Sequence, residues 1–236
     1  MAFESLISDG RLSVPLFHGT STLFYDSILN AGLGGRNMIE DLGLRPVVRS
    51  LVQLCEKELE PDEQWVLDKS AAMKISAEPD DKDLRSNTGF NFRYGGTYLS
   101  ASRYTAVQYA LLYDCGSEAL SYSLRLFNRL AQQRPALAAR EEFSKISELG
   151  RKLREPLLVE AINVETACLR AEQGGPCGPV FEQIEDALAE PDICDVLIQQ
   201  ANFELLGPLP PESLKFFRIV RRNPHERLGP YDSVPL

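Results

Sequence analysis

Histidine is the scarcest ionisable residue of this 236-residue chain, which contains only His18 and His225. Because imidazole nitrogen is a principal zinc ligand, two histidines cannot build a histidine-rich metal site, and no metal is expected. The five cysteines form no C-x-x-C pair, and their number is odd. We therefore expect no disulfide framework, and the cysteine usage favours a reducing compartment.

The chain also has fewer basic than acidic residues, and it lacks long apolar runs. The chain has 25 Lys and Arg against 34 Asp and Glu, for a net charge of −9, so it would repel a phosphate backbone and no nucleic-acid partner is expected. No stretch approaches the roughly 20 apolar residues of a membrane-spanning helix, and no membrane partner is expected. The opening residues, MAFESLISDG, lack the basic start and apolar run of a secretory signal. We therefore expect a cytoplasmic protein, or an effector delivered into a host-cell cytosol without a cleavable signal.

What the chain does have is a substantial apolar fraction, 44%, which predicts a buried core, and its length fits a single domain over residues 1–236. Short apolar or alternating runs predict strands, whereas residues 168–178 and the tail from 223 are predicted to be irregular. Helical patterns separate the strands and cluster in the middle of the chain, which favours the α+β class. The predicted strands are 14–18, 90–100, 157–162, 203–206 and 215–221.

A helical insertion is predicted at about residues 42–85. Val48, Leu51, Cys55 and Leu59 recur at helical spacing until Pro61 stops the run. A second helix with weaker periodicity is predicted over 62–77.

Three short segments carry the candidate chemistry: residues 17–20 (FHGT), 95–100 (GGTYLS) and 202–204 (NFE). Together they supply an imidazole, an aromatic ring and a carboxylate. A carboxylate beside a sugar can stabilise an oxocarbenium-like transition state, as in glycoside hydrolysis. An aromatic ring can clamp a flat nicotinamide, and glycine permits its close approach to the backbone. These groups indicate an enzyme that holds NAD⁺ and cleaves its nicotinamide–ribose bond.

On these residues the chain resembles the ADP-ribosyltransferases of the His-Tyr-Glu class, the branch of diphtheria toxin and the poly(ADP-ribose) polymerases. The most specific match is Gly96-x-Tyr98 followed eleven residues later by Tyr109, within the segment AVQYA. Glu204, followed by a proline-rich turn and an apolar strand, matches the late glutamate strand of that class. The resemblance implies a split antiparallel β-sheet core with surrounding helices, and NAD⁺ as a substrate.

The resemblance also implies catalytic roles for three residues. His18 would bond ribose hydroxyls, Tyr98 would stack on the nicotinamide, and Glu204 would bond a ribose hydroxyl and steady the developing cation.

The cofactor-binding set implied by the resemblance is His18, Gly19, Thr20, Tyr98, Ser100 and Tyr109. Within it, the Gly19 backbone would hold the nicotinamide amide, and Tyr109 would form the second side of a tyrosine sandwich. Ser100 is included by its position alone. One departure from the polymerase branch is Ala106, which stands where that branch has a serine that bonds nicotinamide.

The implied activity is mono-ADP-ribosylation of a protein by an enzyme of the bacterial effector or toxin type. Arginine-directed toxins carry Glu-x-Glu, whereas this chain has Asn202 at the first position, so an acceptor other than arginine is expected. Ubiquitin threonine is one acceptor used by such effectors, although no residue here matches that subfamily. One alternative is an RNA 2′-phosphotransferase, which shares an early His-Gly-Thr but needs more basic and histidine groups. Another is a catalytically inactive NAD- or protein-binding module.

Overall fold

Seven of the described strands form one antiparallel sheet, in the order β6-β7-β4-β3-β5-β8-β9, and β1 and β2 form a separate hairpin. The computed structural model describes residues 5–60, 62–64, 66, 68, 96–190, 192–223, 226 and 228–236. Most of the predicted helix at 62–77 and residues 90–95 of the predicted strand at 90–100 lie outside the described residues. The described residues combine helices with a sheet whose pairings are all antiparallel, which confirms the α+β class.

The strands are β1 (Ile7–Ser8), β2 (Arg11–Leu12), β3 (Leu16–Ser21), β4 (Thr97–Ser100), β5 (Pro156–Ala161), β6 (Leu169–Ala171), β7 (Asn202–Leu205), β8 (Leu214–Arg221) and β9 (Tyr231–Pro235). The α-helices are α1 (Tyr25–Ala31), α2 (Met38–Asp41), α3 (Leu44–Glu58), α4 (Arg103–Leu112), α5 (Glu118–Gln133), α6 (Pro135–Ala138), α7 (Ser144–Arg151), α8 (Gly178–Leu188) and α9 (Cys194–Leu197). Short 3-10 turns lie at Thr22–Phe24, Glu141–Phe143, Thr166–Cys168, Ile198–Gln200 and Pro211–Ser213.

The chain divides into two compact units. The first comprises Met1–Arg36, Gly96–Gly116 and Arg154–Leu236, and it contains both sheets. The second comprises Asn37–Gly95 and Ser117–Leu153, and its described elements are helical. Among the described residues no helix is both long and apolar enough to cross a membrane.

Helix α3 of the second unit follows the apolar periodicity of its sequence. Val48, Leu51 and Cys55 are buried on one side of α3, which confirms the predicted helix in the first part of the 42–85 segment. The helix ends where the backbone of Leu59 becomes extended. Helix α3 packs on α5 and α7, so its apolar stripe supplies the contacts that stabilise it.

Two predictions about irregular regions are wrong. Strand β6 lies inside the predicted loop at 168–178, and β9 lies inside the predicted irregular tail from 223. Three residues are too few for a period-2 pattern to be recognised in β6. Strand β9 carries little apolar signal because its residues are mostly exposed, and it forms by pairing with β8 at the sheet edge.

The sheet has two unlike faces, because successive side chains of a strand point to opposite sides. Leu16, Leu99 and Phe203 belong to the main core on one face. On the other face, Phe17 packs with residues of α4, and this helix lies against β3 and β5. Ser102 is the N-cap of α4, and its hydroxyl accepts the Thr105 backbone N–H at 3.2 Å.

Candidate active site

The sheet topology brings the three predicted catalytic residues onto neighbouring strands. His18 lies on β3, Tyr98 on β4 and Glu204 on β7, and β4 is the middle strand of the three. Tyr98 and Glu204 are direct cross-strand partners, so their side chains share one face and their Cβ atoms are neighbours. Tyr98 and Glu204, which are distant in sequence, are therefore adjacent in the sheet, and His18 lies on the next strand.

His18 occupies the place where β3 and β4 separate. The register joins these two strands at Phe17 and Ser100. Strand alternation places the His18 Cβ on the face opposite Tyr98 and Glu204, but the ring reaches the level of the sheet. There its Nδ1 lies 2.8 Å from the Tyr98 backbone carbonyl oxygen. The His18 side chain thus bonds a Tyr98 carbonyl that would bond the backbone of β3 if the two strands stayed paired.

The bond to Tyr98 determines the protonation of His18. A carbonyl oxygen can only accept, so Nδ1–H is the donor. Burial lowers the pKa of His18 from its ordinary 6.5, and this effect exceeds the opposite effect of the bond to the Tyr98 carbonyl. The neutral ring therefore carries its lone pair on Nε2, which can accept a hydrogen bond from a hydroxyl group.

The lowered pKa of the half-buried His18 predicts a pH-dependent stability. The unfolded chain binds a proton at His18 below pH 6.5, whereas the folded chain resists it, so this residue subtracts from the free energy of unfolding as the pH falls below 6.5. His18→Asn keeps an N–H donor for Tyr98 but cannot titrate. We expect the wild-type free energy of unfolding, from urea denaturation, to fall more steeply than that of the variant between about pH 7.5 and about pH 5.5. Parallel slopes would contradict a lowered pKa of His18 in the folded protein.

Tyr98 and Glu204 converge beside Gly96. A Cβ placed on Gly96 would lie 3.2 Å from the Tyr98 hydroxyl oxygen and 3.3 Å from Glu204 Oε1. The phenol and the carboxylate oxygen are therefore both directed to the same small region, which glycine keeps open. Both residues are half-buried, so they are partly shielded and still reachable from solvent.

Arg170 is a member of this site that the sequence analysis missed. It is the direct cross-strand partner of Glu204 on β6, and its Nε and Nη2 donate to Glu204 Oε2 at 3.0 and 2.6 Å. It was missed because β6 was predicted to be a loop. In the sequence, the only sign of β6 is Arg170 between two apolar residues, Leu169 and Ala171. Both of these are buried in the structure.

Gly19 lies against helix α4, which also carries Tyr109. A Cβ on Gly19 would lie only 1.9 Å from the Ala106 carbonyl oxygen of this helix, so the absence of a side chain lets α4 lie directly on β3. Tyr109, on the same helix, is 37% exposed. Its ring packs on that of Tyr113, with centroids 4.7 Å apart and planes tilted by 54°. The tyrosine sandwich with Tyr98 remains a prediction.

The remaining two predicted binding residues use their hydroxyl groups within the fold. Thr20 is buried, and its Oγ1 donates to the Gly116 carbonyl at 3.2 Å. Ser100 is also buried, and its Oγ accepts the Ser102 backbone N–H at 3.1 Å. Both side chains thus stabilise the elements that flank the site.

No protein-family model, curated protein or solved structure matches this chain. The choice of function therefore depends on the geometry of the residues themselves. Among the described residues no three His, Cys, Asp or Glu side chains are grouped so that they could hold a metal ion.

The arrangement offers three kinds of interaction on the neighbouring strands β3, β4 and β7, with the His18 Cβ on one face of the sheet and Tyr98 and Glu204 on the other. The Nε2 atom of His18 can accept a hydrogen bond, the Tyr98 ring can stack on a flat group, and Glu204 can stabilise a positive charge. This combination suits a ligand that has hydroxyl groups, an aromatic ring and a centre that becomes cationic during reaction.

Proposed function

We propose that the chain is an NAD⁺-dependent mono-ADP-ribosyltransferase of the His-Tyr-Glu class, which transfers ADP-ribose to a protein side chain. One observation carries the proposal. His18 bonds the backbone of Tyr98 at 2.8 Å, and Tyr98 is the direct cross-strand partner of Glu204. The divergence of β3 and β4 at His18 is compatible with the split sheet that this class would have.

Each group has a role in holding NAD⁺. The Nε2 atom of His18 accepts a hydrogen bond from a ribose hydroxyl, which is possible because the ring is neutral and protonated on Nδ1. The Tyr98 ring stacks on the nicotinamide, and Tyr109 covers its other side. The Gly19 backbone bonds the nicotinamide amide. In this arrangement Tyr98 contacts the nicotinamide end of the bond to be cleaved, and Glu204 contacts its ribose end.

The chemical step needs charge stabilisation more than acid catalysis. The bond between nicotinamide nitrogen and ribose C1′ breaks, and its electron pair leaves with neutral nicotinamide. The ribose becomes oxocarbenium-like, and the negative charge of Glu204 stabilises it. The acceptor oxygen then bonds C1′, which leaves ADP-ribosylated protein and nicotinamide. A hydroxyl acceptor also loses its proton to solvent, whereas an ionised carboxylate has no proton to lose.

Asn202 bears on the identity of the acceptor. Its Nδ2 donates to Glu172 Oε2 at 3.0 Å, and an amide cannot act as the additional carboxylate that arginine-directed toxins use. We therefore propose a hydroxyl or carboxyl acceptor, and ubiquitin threonine is a candidate within that group.

Incubation with NAD⁺ labelled in its adenylate part tests the proposal. We expect label to become attached to proteins of a cell lysate, with release of one nicotinamide for each ADP-ribose transferred. Purified ubiquitin and a 2′-phosphorylated RNA are tested in parallel. Nicotinamide release without labelled protein would identify an NAD⁺ glycohydrolase. NAD⁺ binding without turnover would indicate an inactive module, and dephosphorylated RNA would indicate the phosphotransferase.

The stacking role of Tyr98 is tested by its removal. Tyr98→Ala should weaken NAD⁺ binding by roughly 1–3 kcal/mol, by analogy with base–aromatic stacking. Tyr98→Phe keeps the ring and should change the dissociation constant by less than about threefold. Isothermal titration calorimetry with NAD⁺ provides the measurement, and Tyr104→Ala, at an exposed tyrosine of α4, is the control. An unchanged dissociation constant for Tyr98→Ala would remove this residue from the site.

A further inference from the structure

Arg170 binds one oxygen of the Glu204 carboxylate with two N–H groups. Its Nε and Nη2 lie 3.0 and 2.6 Å from Oε2, whereas Oε1 is the oxygen that lies beside Gly96. The two oxygens are therefore not equivalent. One is bonded to the guanidinium on β6, and the other is directed to the region of the Tyr98 hydroxyl.

A second ion pair in the same sheet provides a comparison for the Arg170–Glu204 pair. Lys215 and Glu160 are also direct cross-strand partners, with Nζ 2.9 Å from Oε1. The exposed fractions of the carboxylate side chains are comparable, 18% for Glu160 and 12% for Glu204. The ammonium of Lys215 is a point charge that rotates freely, whereas the planar guanidinium of Arg170 constrains the carboxylate through two bonds.

We infer that Arg170 is a positioning residue, which holds the Glu204 carboxylate so that Oε1 is presented at the proposed nicotinamide–ribose site. This inference rests on the proposed function. A carboxylate that must stabilise a developing cation has to be oriented before the reaction, because a displacement of about 1 Å can reduce the rate about 100-fold. Arg170 provides that orientation without contact with the reacting atoms.

The positive charge of Arg170 does not cancel this effect of Glu204. The two hydrogen bonds of Arg170 go to Oε2, and its side chain is 41% exposed, so water solvates the guanidinium and Oε1 keeps negative charge to face the developing cation. Orientation is therefore the dominant contribution of Arg170, and the contribution should appear in kcat rather than in KM.

The test compares Arg170→Ala with Lys215→Ala, which breaks the control pair. The rate of nicotinamide release is measured in cell lysate, above the background of the lysate alone, so that acceptor proteins are present without having to be identified. We expect kcat of Arg170→Ala to fall about 10- to 100-fold with KM within about threefold of wild type. Lys215→Ala should keep wild-type values. Added methylguanidinium should restore part of kcat in Arg170→Ala, and Arg170→Lys should retain part of it.

Every outcome distinguishes the role of Arg170 from the proposed function. If wild type consumes NAD⁺ and Arg170→Ala matches Lys215→Ala, Arg170 is not a positioning residue while the proposed function stands. An increase in KM alone would mean that Arg170 contacts NAD⁺ directly, which overturns the positioning role. If Arg170→Ala does not fold, Arg170→Lys with wild-type kcat overturns it as well. If wild type itself releases no nicotinamide, the proposed function fails and the role of Arg170 fails with it.

Discussion

Glu204→Ala should reduce ADP-ribose transfer by at least about 100-fold and leave the NAD⁺ dissociation constant within about threefold of wild type. The carboxylate acts mainly on charge that develops as the nicotinamide–ribose bond breaks. Its loss therefore raises the energy of the transition state far more than that of bound NAD⁺. Nicotinamide release and calorimetric titration with NAD⁺ measure the two effects separately.

Two further variants make the Glu204 experiment specific. Glu160→Ala removes the carboxylate that pairs with Lys215 across β5 and β8 and should leave both quantities unchanged. Glu204→Gln keeps an oxygen that can accept from Arg170 while it removes the negative charge, so it should be as inactive as Glu204→Ala. Equal losses of binding and rate, or an active Glu204→Gln, would contradict a role in charge stabilisation.

Gly19→Ala should destabilise the sheet-containing unit by about 3 kcal/mol or more. The added methyl carbon would lie 1.9 Å from the Ala106 carbonyl oxygen and 3.0 Å from the Ala110 nitrogen. Both are backbone atoms of α4, which cannot rotate away as a side chain can. Helix α4 would have to move away from β3, and its residues would lose their contacts with Phe17.

Urea denaturation of Gly19→Ala measures this effect, with Gly207→Ala as the matched control. Gly207 follows β7, and a Cβ there has no atom within 4 Å, so its free energy of unfolding should change by less than about 1 kcal/mol. A Gly19→Ala protein as stable as the control would mean that α4 does not lie against β3 at this distance. The glycine predicted to admit a ligand is thus required also for the packing of a helix.

Several elements could be predicted because their signals are local. Ser102 lies just before α4 and accepts the N–H of Thr105 three residues later, so the start of the helix depends on adjacent residues alone. Helix α3 was readable because Val48, Leu51 and Cys55 repeat at the helical period. Strands β5 and β8 were readable because each has several apolar residues in succession.

The position of the candidate residues depends on pairing, which has no local signal. The motifs suggested that His18, Tyr98 and Glu204 act together, yet only the order β7-β4-β3 makes them neighbours. Likewise, only the separation of β3 and β4 gives the His18 ring a carbonyl to bond, and that bond determines which nitrogen keeps its lone pair.

The sequence by itself determined the α+β class, the capped helix α4 and the periodic helix α3, because each follows from the spacing of residues along a short segment. The tertiary structure alone decided that β6 and β9 are strands and that Arg170 binds Glu204. Strand β6 has only three residues, and β9 is largely exposed. Such strands are stabilised by hydrogen bonds to a neighbouring strand that is remote in sequence, so nothing within them distinguishes them from a loop.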